Sequence, residues 1–200
     1  MELGLRIQQA AERLFNRFGV RSVSMDDVSK EINISKKTLY KCFRDKNELI
    51  TSTVNIHIDR MEVAIREIKS KQNHAIKQLN EITHFAIEQS RSINPNMIFD
   101  LKKYHPEIYQ ELVIRRDSHS LIRINENIEL GRSQGVYRTD FDEQIIAKAF
   151  SKLTFSTVDS FDDSLSIDQV KFMLSEIMKY HIRGIATEQG LKELETLKWN

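Results

Sequence analysis

The chain has 200 residues, 40% hydrophobic and 30% charged, with a formal net charge of +1. This composition suits a globular chain of one large domain or two small ones and argues against a disordered or fibrous protein. No apolar run approaches the roughly 20 residues needed to span a bilayer, the N-terminus reads as a helix rather than a basic stretch leading into a hydrophobic one, and a single cysteine forbids an internal disulfide, so a cytoplasmic protein without membrane contact is expected.

The charge is unevenly distributed. Residues 1–50 hold ten Lys or Arg against seven Asp or Glu, residues 51–200 hold twenty against twenty-two, and residues 30–46 alone carry six against two. Such a local patch gives salt-dependent affinity for phosphates while the remaining surface avoids them.

Six glycines, two prolines and few alternating apolar-polar runs predict an all-α chain of about nine helices. Within residues 24–46 the pattern is that of two short helices around a tight turn. Ser24 and Asp27 have the spacing of a capping box, Val28 and Ile32 share an inner face, and Asn33-Ile34 supplies the turn. Ser35 then caps a second helix in which Leu39 and Phe43 repeat the i, i+4 apolar spacing. On a wheel at 100° per residue with Lys36 at zero, Tyr40, Arg44, Lys37 and Lys41 fall at about 40°, 80°, 100° and 140°, while Leu39 and Phe43 fall at about 300° and 340°. One side docks and the other is basic and aromatic, the arrangement by which a helix-turn-helix offers its second helix to the major groove.

These residues resemble the TetR family of transcriptional repressors, and the match extends upstream through Ile7, Ala10, Ala11, Leu14, Phe15 and Phe18 to Gly19. Ser24-Met25, Val28, Ser35 to Tyr40, Phe43 and Lys46 occupy positions of that family's pattern. The resemblance implies that Lys36, Lys37, Thr38 and Tyr40 touch DNA and that Lys46 holds a phosphate at the start of the following helix. With Ser24, and with Lys41 and Arg44 from the wheel, these form the candidate DNA-binding set. Cys42 departs from the family pattern, standing where a histidine is frequent, and its wheel position of about 240° suits a small buried thiol.

A fourth helix is predicted from Asp45-Lys46-Asn47-Glu48 to about residue 70, carrying Val54, Ile58, Met61, Ile65 and Ile68 at helical spacing. The fifth, over 73–91, is expected to turn Ile76, Leu79, Ile82 or Thr83, and Ala86 inward. Pro95 and Pro106 suit first-turn positions of the sixth and seventh helices, and the seventh runs through Ile108, Leu112, Leu121 and Ile128 toward Gly131 and Gly135. Asp140 with Glu143 is expected to cap the eighth, and the ninth starts near Asp168, with Phe172 and Tyr180 pointing away from Leu174 and Ile185. Segments Tyr104 to Glu107, Gly135 to Asp140 and Arg183 to Thr187 resemble stretches of some C-terminal domains of the same family.

The domain boundaries that follow are 1–46 for a helix-turn-helix DNA-binding domain and 47–200 for a helical regulatory, ligand-binding and dimerisation domain. The resemblance implies a homodimer built on the last long helices, with Ile146, Phe150, Leu153, Met173, Ile177 and Tyr180 as interface candidates. It also implies a ligand pocket between helices, for which His84, Phe85, Phe99, Tyr104, Tyr109 and Phe155 are candidates, each with ordinary core packing as the competing role.

The six histidines lack metal-ligand spacing, and no HExxH, P-loop, dinucleotide fingerprint or nucleophile elbow is present, so neither catalysis, metal nor cofactor is expected. The expected partners are a double-stranded operator, a small-molecule effector whose identity is not written in the chain, and a second copy of the protein. The expected function is a repressor on a palindromic operator, released by an inducer. The alternative is a helical ligand-binding or scaffolding protein with a vestigial head.

Overall fold

The computed structural model describes residues 2–90, 94–159 and 166–197. Ten helices occur among them: α1 (Glu2–Phe18), α2 (Met25–Glu31), α3 (Lys36–Cys42), α4 (Lys46–Lys71), α5 (Ala75–Ser90), α6 (Pro95–Tyr104), α7 (Pro106–Ser133), α8 (Glu143–Asp159), α9 (Ile167–Ile185) and α10 (Glu188–Thr196). The all-α expectation holds, with one helix more than the nine expected. The addition is α10, whose N-cap Thr187 hydroxyl accepts from the Gly190 N–H at 3.2 Å. Both prolines open helices as expected, because the N–H that proline lacks has no intrahelical acceptor in a first turn. The lone tryptophan, Trp199, lies outside the described residues.

Contacts divide the chain into two compact units, Met1–Glu62 with Ser92–Arg116, and Val63–Arg91 with Asp117–Asn200. In the first, α1 buries Ile7, Ala10, Ala11 and Phe15 at helical spacing against α2, whose Val28 is fully buried. Leu39 from α3, Leu49 and Ile50 from α4 and Leu101 from α6 complete the core, each at 0% exposure. Gly19 closes α1 with φ +79, a conformation that L side chains rarely adopt, and a Cβ there would stand 2.7 Å from Asp100 Oδ2. The sequence therefore leaves a gap in the α1–α2 turn that a carboxylate from α6 fills.

In the second unit α9 packs against α5, α8 and α10. The segments at Gly135 to Asp140 and Arg183 to Thr187 meet in an antiparallel bridge between Tyr137 and Ala186: Arg138 N–H donates to Ile185 O at 2.7 Å and Thr187 N–H to Val136 O at 3.0 Å. Tyr137 is buried over Gly131, where a Cβ would lie 2.0 Å from its ring, and its hydroxyl donates to Asn127 Oδ1 at 3.2 Å. Burial pushes the Tyr137 phenol well up, so it stays a neutral donor.

Two local expectations need correction. On α5 the inner face is Ile76, Leu79, Thr83 and Ile87, with Ala86 exposed, because the buried row advances by three, four and four residues. The cap of α8 is Asp142, whose Oδ1 accepts from Ile145 N–H at 3.0 Å, while Asp140 pairs with Arg138 at 3.1 Å.

Candidate nucleic-acid interface

The head is assembled by local hydrogen bonds that the sequence specifies. Ser24 Oγ accepts from Asp27 N–H at 3.2 Å, and Asp27 Oδ2 accepts from Ser24 N–H at 2.8 Å, the reciprocal box that starts α2. The hydrogen bonds from Ser24 hold the Asp27 carboxyl below the ordinary carboxylate range. Asn33 turns the chain with φ +56, a left-handed position that asparagine tolerates better than most residues. Ser35 Oγ then accepts from Thr38 N–H at 3.1 Å, and Leu39, at 0% exposure, anchors α3 in the core.

Anchoring Leu39 fixes which side of α3 meets solvent. Lys36, Lys37, Tyr40 and Lys41 are exposed, Thr38 is half-buried with its hydroxyl 2.8 Å from that of Ser35, and Cys42 is half-buried against the head core. Arg44 departs from the helical wheel. Phe43 ends α3 in an extended conformation (φ −138, ψ 118), so Arg44 lies beyond the helix, with its N–H donating to Glu48 Oε2 at 2.7 Å and its guanidinium 3.2 Å from Asp45. The competing signal was the capping pattern Asp45 to Glu48, which makes Arg44 part of the entry to α4.

A cleft of about 290 Å³ gathers Lys36, Tyr40 and Lys46 with Arg21, Ser22, Ser24 and Asp26. Lys36 Nζ lies 2.7 Å from Asp26 Oδ1, which raises its pKa through that hydrogen bond, so an incoming phosphate competes with a carboxylate for this ammonium. Lys46 Nζ donates to the Arg21 carbonyl at 3.3 Å; partial burial holds its pKa below the ordinary lysine range, with Asp100 and Asp27 opposing. A phosphate placed there would supply a counter-charge to the ammonium, whose charged form burial disfavours.

Sequence reasoning missed Arg21 and its contacts with Asp100 and Tyr104. Arg21 N–H donates to Asp100 Oδ2 at 2.8 Å, its Nη1 donates to the Tyr104 hydroxyl at 2.8 Å, and its guanidinium lies 4.8 Å from the Tyr104 ring centroid. These partners stand about 80 residues apart in sequence, and the positive-φ Gly19 was the one local sign that something closes over this turn. Beside them, burial and Lys46 hold the His105 imidazole below its ordinary pKa, with Asp100 opposing.

The six pocket candidates fall in different units. Phe99, Tyr104 and Tyr109 belong to the first, where Phe99 is 55% exposed, Tyr104 is engaged by Arg21 and Tyr109 packs on the head core. His84, Phe85 and Phe155 are half-buried in the second. Another cleft of the first unit, about 480 Å³, is lined by Leu5, Gln8, Phe43 and Ile56 among others, and none of the six candidates lines either cleft. Among the interface candidates, Phe150 is buried, stacking on His181 of the same chain with ring centroids 3.8 Å apart. Ile146 and Ile177 are half-buried, whereas Leu153, Met173 and Tyr180 are exposed, joined by Ile145 and Phe172. Among the described residues no group of His, Cys, Asp and Glu is placed to hold a metal, and no helix is long and apolar enough to cross a membrane.

Comparison with known proteins agrees with this geometry. Residues 7–53 match the family model of bacterial regulatory proteins, tetR family. An HTH-type transcriptional regulator of Staphylococcus aureus is 30% identical over 116 residues, a stretch that covers 54% of this chain and 61% of the relative. Among solved structures, a transcriptional regulator from Cytophaga hutchinsonii superposes with a TM-score of 0.79 at 15% identity, covering 93% of this chain and 99% of that one. A regulator described as putative from Saccharomonospora viridis, solved in complex with choline, gives 0.73 at 19%, covering 94% and 99%. Residues 7–53 are thus similar to the tetR family of bacterial regulatory proteins, and the fold along nearly all the chain is that of the solved regulators.

Proposed function

We propose that this protein is a sequence-specific, double-stranded-DNA-binding transcriptional regulator that acts as a homodimeric repressor and leaves its operator when a small molecule binds. The observation that carries the reading is α3: Leu39 is fully buried while Lys36, Lys37, Tyr40 and Lys41 are exposed on the other side. Lys36, Lys37 and Tyr40 read base edges or methyl groups, Thr38 touches the DNA beside them, and Lys41, Lys46 and Ser24 set register on phosphates. Arg44 contributes from outside the helix, after leaving Asp45.

Exposed Leu153, Met173 and Tyr180 support a second copy as partner, since a set of exposed apolar side chains on α8 and α9 is more than a monomer needs. Two heads read an inverted repeat whose half-sites lie about 34 Å apart, and an effector that favours another separation of the heads releases the DNA. The choline bound by the Saccharomonospora viridis neighbour supports a small-molecule effector without identifying this one. A cytoplasmic location and the lack of catalytic, metal or cofactor chemistry belong to the same reading, as does a helix-turn-helix domain over 1–46 followed by a regulatory domain over 47–200.

The test is selection from a random duplex library at near-physiological salt. Enrichment of one inverted repeat is the expected result; a folded, dimeric protein that enriches no sequence contradicts the proposal.

A further inference from the structure

Beyond the recognition helix, the end of α6 carries a cationic and aromatic group that continues the cleft of the head. Arg21 and Lys46 line that cleft with Lys36 and Tyr40. Arg21 is held from behind by Tyr104, through the 2.8 Å hydrogen bond and the stacking of guanidinium on ring. On the same residue rests Lys103, its ammonium 5.5 Å from the Tyr104 ring centroid and 5.2 Å from that of Phe99. Phe99, Lys103 and Tyr104 are all exposed, so the aromatic rings lie at the surface with a cation over them.

We propose that the end of α6 extends the DNA-binding face of the head: Lys103, carried on Phe99 and Tyr104, contacts a backbone phosphate outside the stretch covered by α3, with Arg21 bridging the two. The proposal rests on the DNA-binding reading above. The centroid distances of 4.8 and 5.5 Å put the Lys103 ammonium within about 10 Å of the Arg21 guanidinium. That bound is no more than about three base steps of 3.4 Å rise, so phosphates of one strand a few nucleotides apart at most can meet Arg21 and Lys103. The Asp100 carboxylate does not oppose this, being turned into the Gly19 gap and bonded to Arg21 N–H. Because the ring faces hold the ammonium without a carboxylate, the phosphate displaces no ion pair at Lys103, unlike at Lys36.

The experiment uses the full chain and a fluorescent duplex of about 30 random base pairs, titrated at several KCl concentrations. Each phosphate contact contributes about 0.9 to the slope of log affinity against log salt. Lys103→Ala is expected to make the slope shallower by about 0.9 for each head engaged, with Lys103→Arg restoring it and Lys192→Ala, an exposed lysine of α10, leaving it unchanged. Unchanged thermal melts establish that the variants fold. A Lys103→Ala slope equal to wild type, while Lys36→Ala/Lys37→Ala loses binding, overturns the α6 extension and leaves the DNA-binding reading intact. A wild-type protein that binds no duplex overturns both.

Discussion

Acidification offers a direct test of the packing between α8 and α9. His181 is 7% exposed, stacked on Phe150 at 12° between ring planes, and burial brings its pKa down to about 4 from an ordinary 6.5. The folded chain therefore keeps the imidazole neutral through a range in which the unfolded chain protonates it. Stability from this residue is complete above about pH 6.5, falls as the pH drops toward 4, and levels off below that, because the unfolded state binds the extra proton. The full drop is about 3 kcal/mol, and about 2 kcal/mol of it is reached at pH 5. With a urea m-value of about 2 kcal/mol/M, the midpoint at pH 5 should lie about 1 M below that at pH 7 through this group alone. Other groups titrate too: Glu12, whose carboxyl is held low chiefly by its hydrogen bond to His57, loses stability over a lower range. The assay therefore compares wild type with His181→Gln at one protein concentration, following far-UV circular dichroism in urea at pH 7, 6 and 5. The variant is less stable at pH 7 but should lose about 2 kcal/mol less on going to pH 5. Parallel pH dependence in the two proteins would refute a buried, neutral His181.

Two further substitutions probe the second unit. Gly131→Ala drives a Cβ to 2.0 Å from the Tyr137 ring and must displace it from its bond to Asn127; the expected loss is about 1–3 kcal/mol, read as a lower thermal midpoint, and an unchanged midpoint would show that the ring is not held there. Tyr180→Asp places a charge at a side chain 72% exposed in the single chain, so it should leave the fold intact by circular dichroism yet yield monomers in sedimentation velocity. A variant that remains dimeric would remove this part of α9 from the interface.

What the sequence disclosed follows the range of the interactions involved. Ser24 with Asp27, Asn33 and Ser35 act within three or four residues, so caps and turn are visible as letters in order. The inner face of α3 was equally legible, because Leu39 and Phe43 report helical spacing, but the wheel continued past Cys42 and carried Arg44 with it; the end of a helix is set by the next capping competition, here Asp45 with Glu48. Asp100 and Tyr104 gave no such signal, since their partners on the α1–α2 turn become neighbours only when α6 packs on α1. The segments Gly135 to Asp140 and Arg183 to Thr187 are joined by a backbone bridge, which no periodicity announces.

In the proposed function, α3 reads DNA through its exposed basic face. The measurement that tests it most directly is the affinity of wild type and Lys36→Ala/Lys37→Ala for a duplex enriched by selection, with the dimer and melting temperature checked in parallel. The variant is expected to stay folded and dimeric but to lose the preference for the selected duplex over a scrambled one. A variant that retains that preference would contradict it.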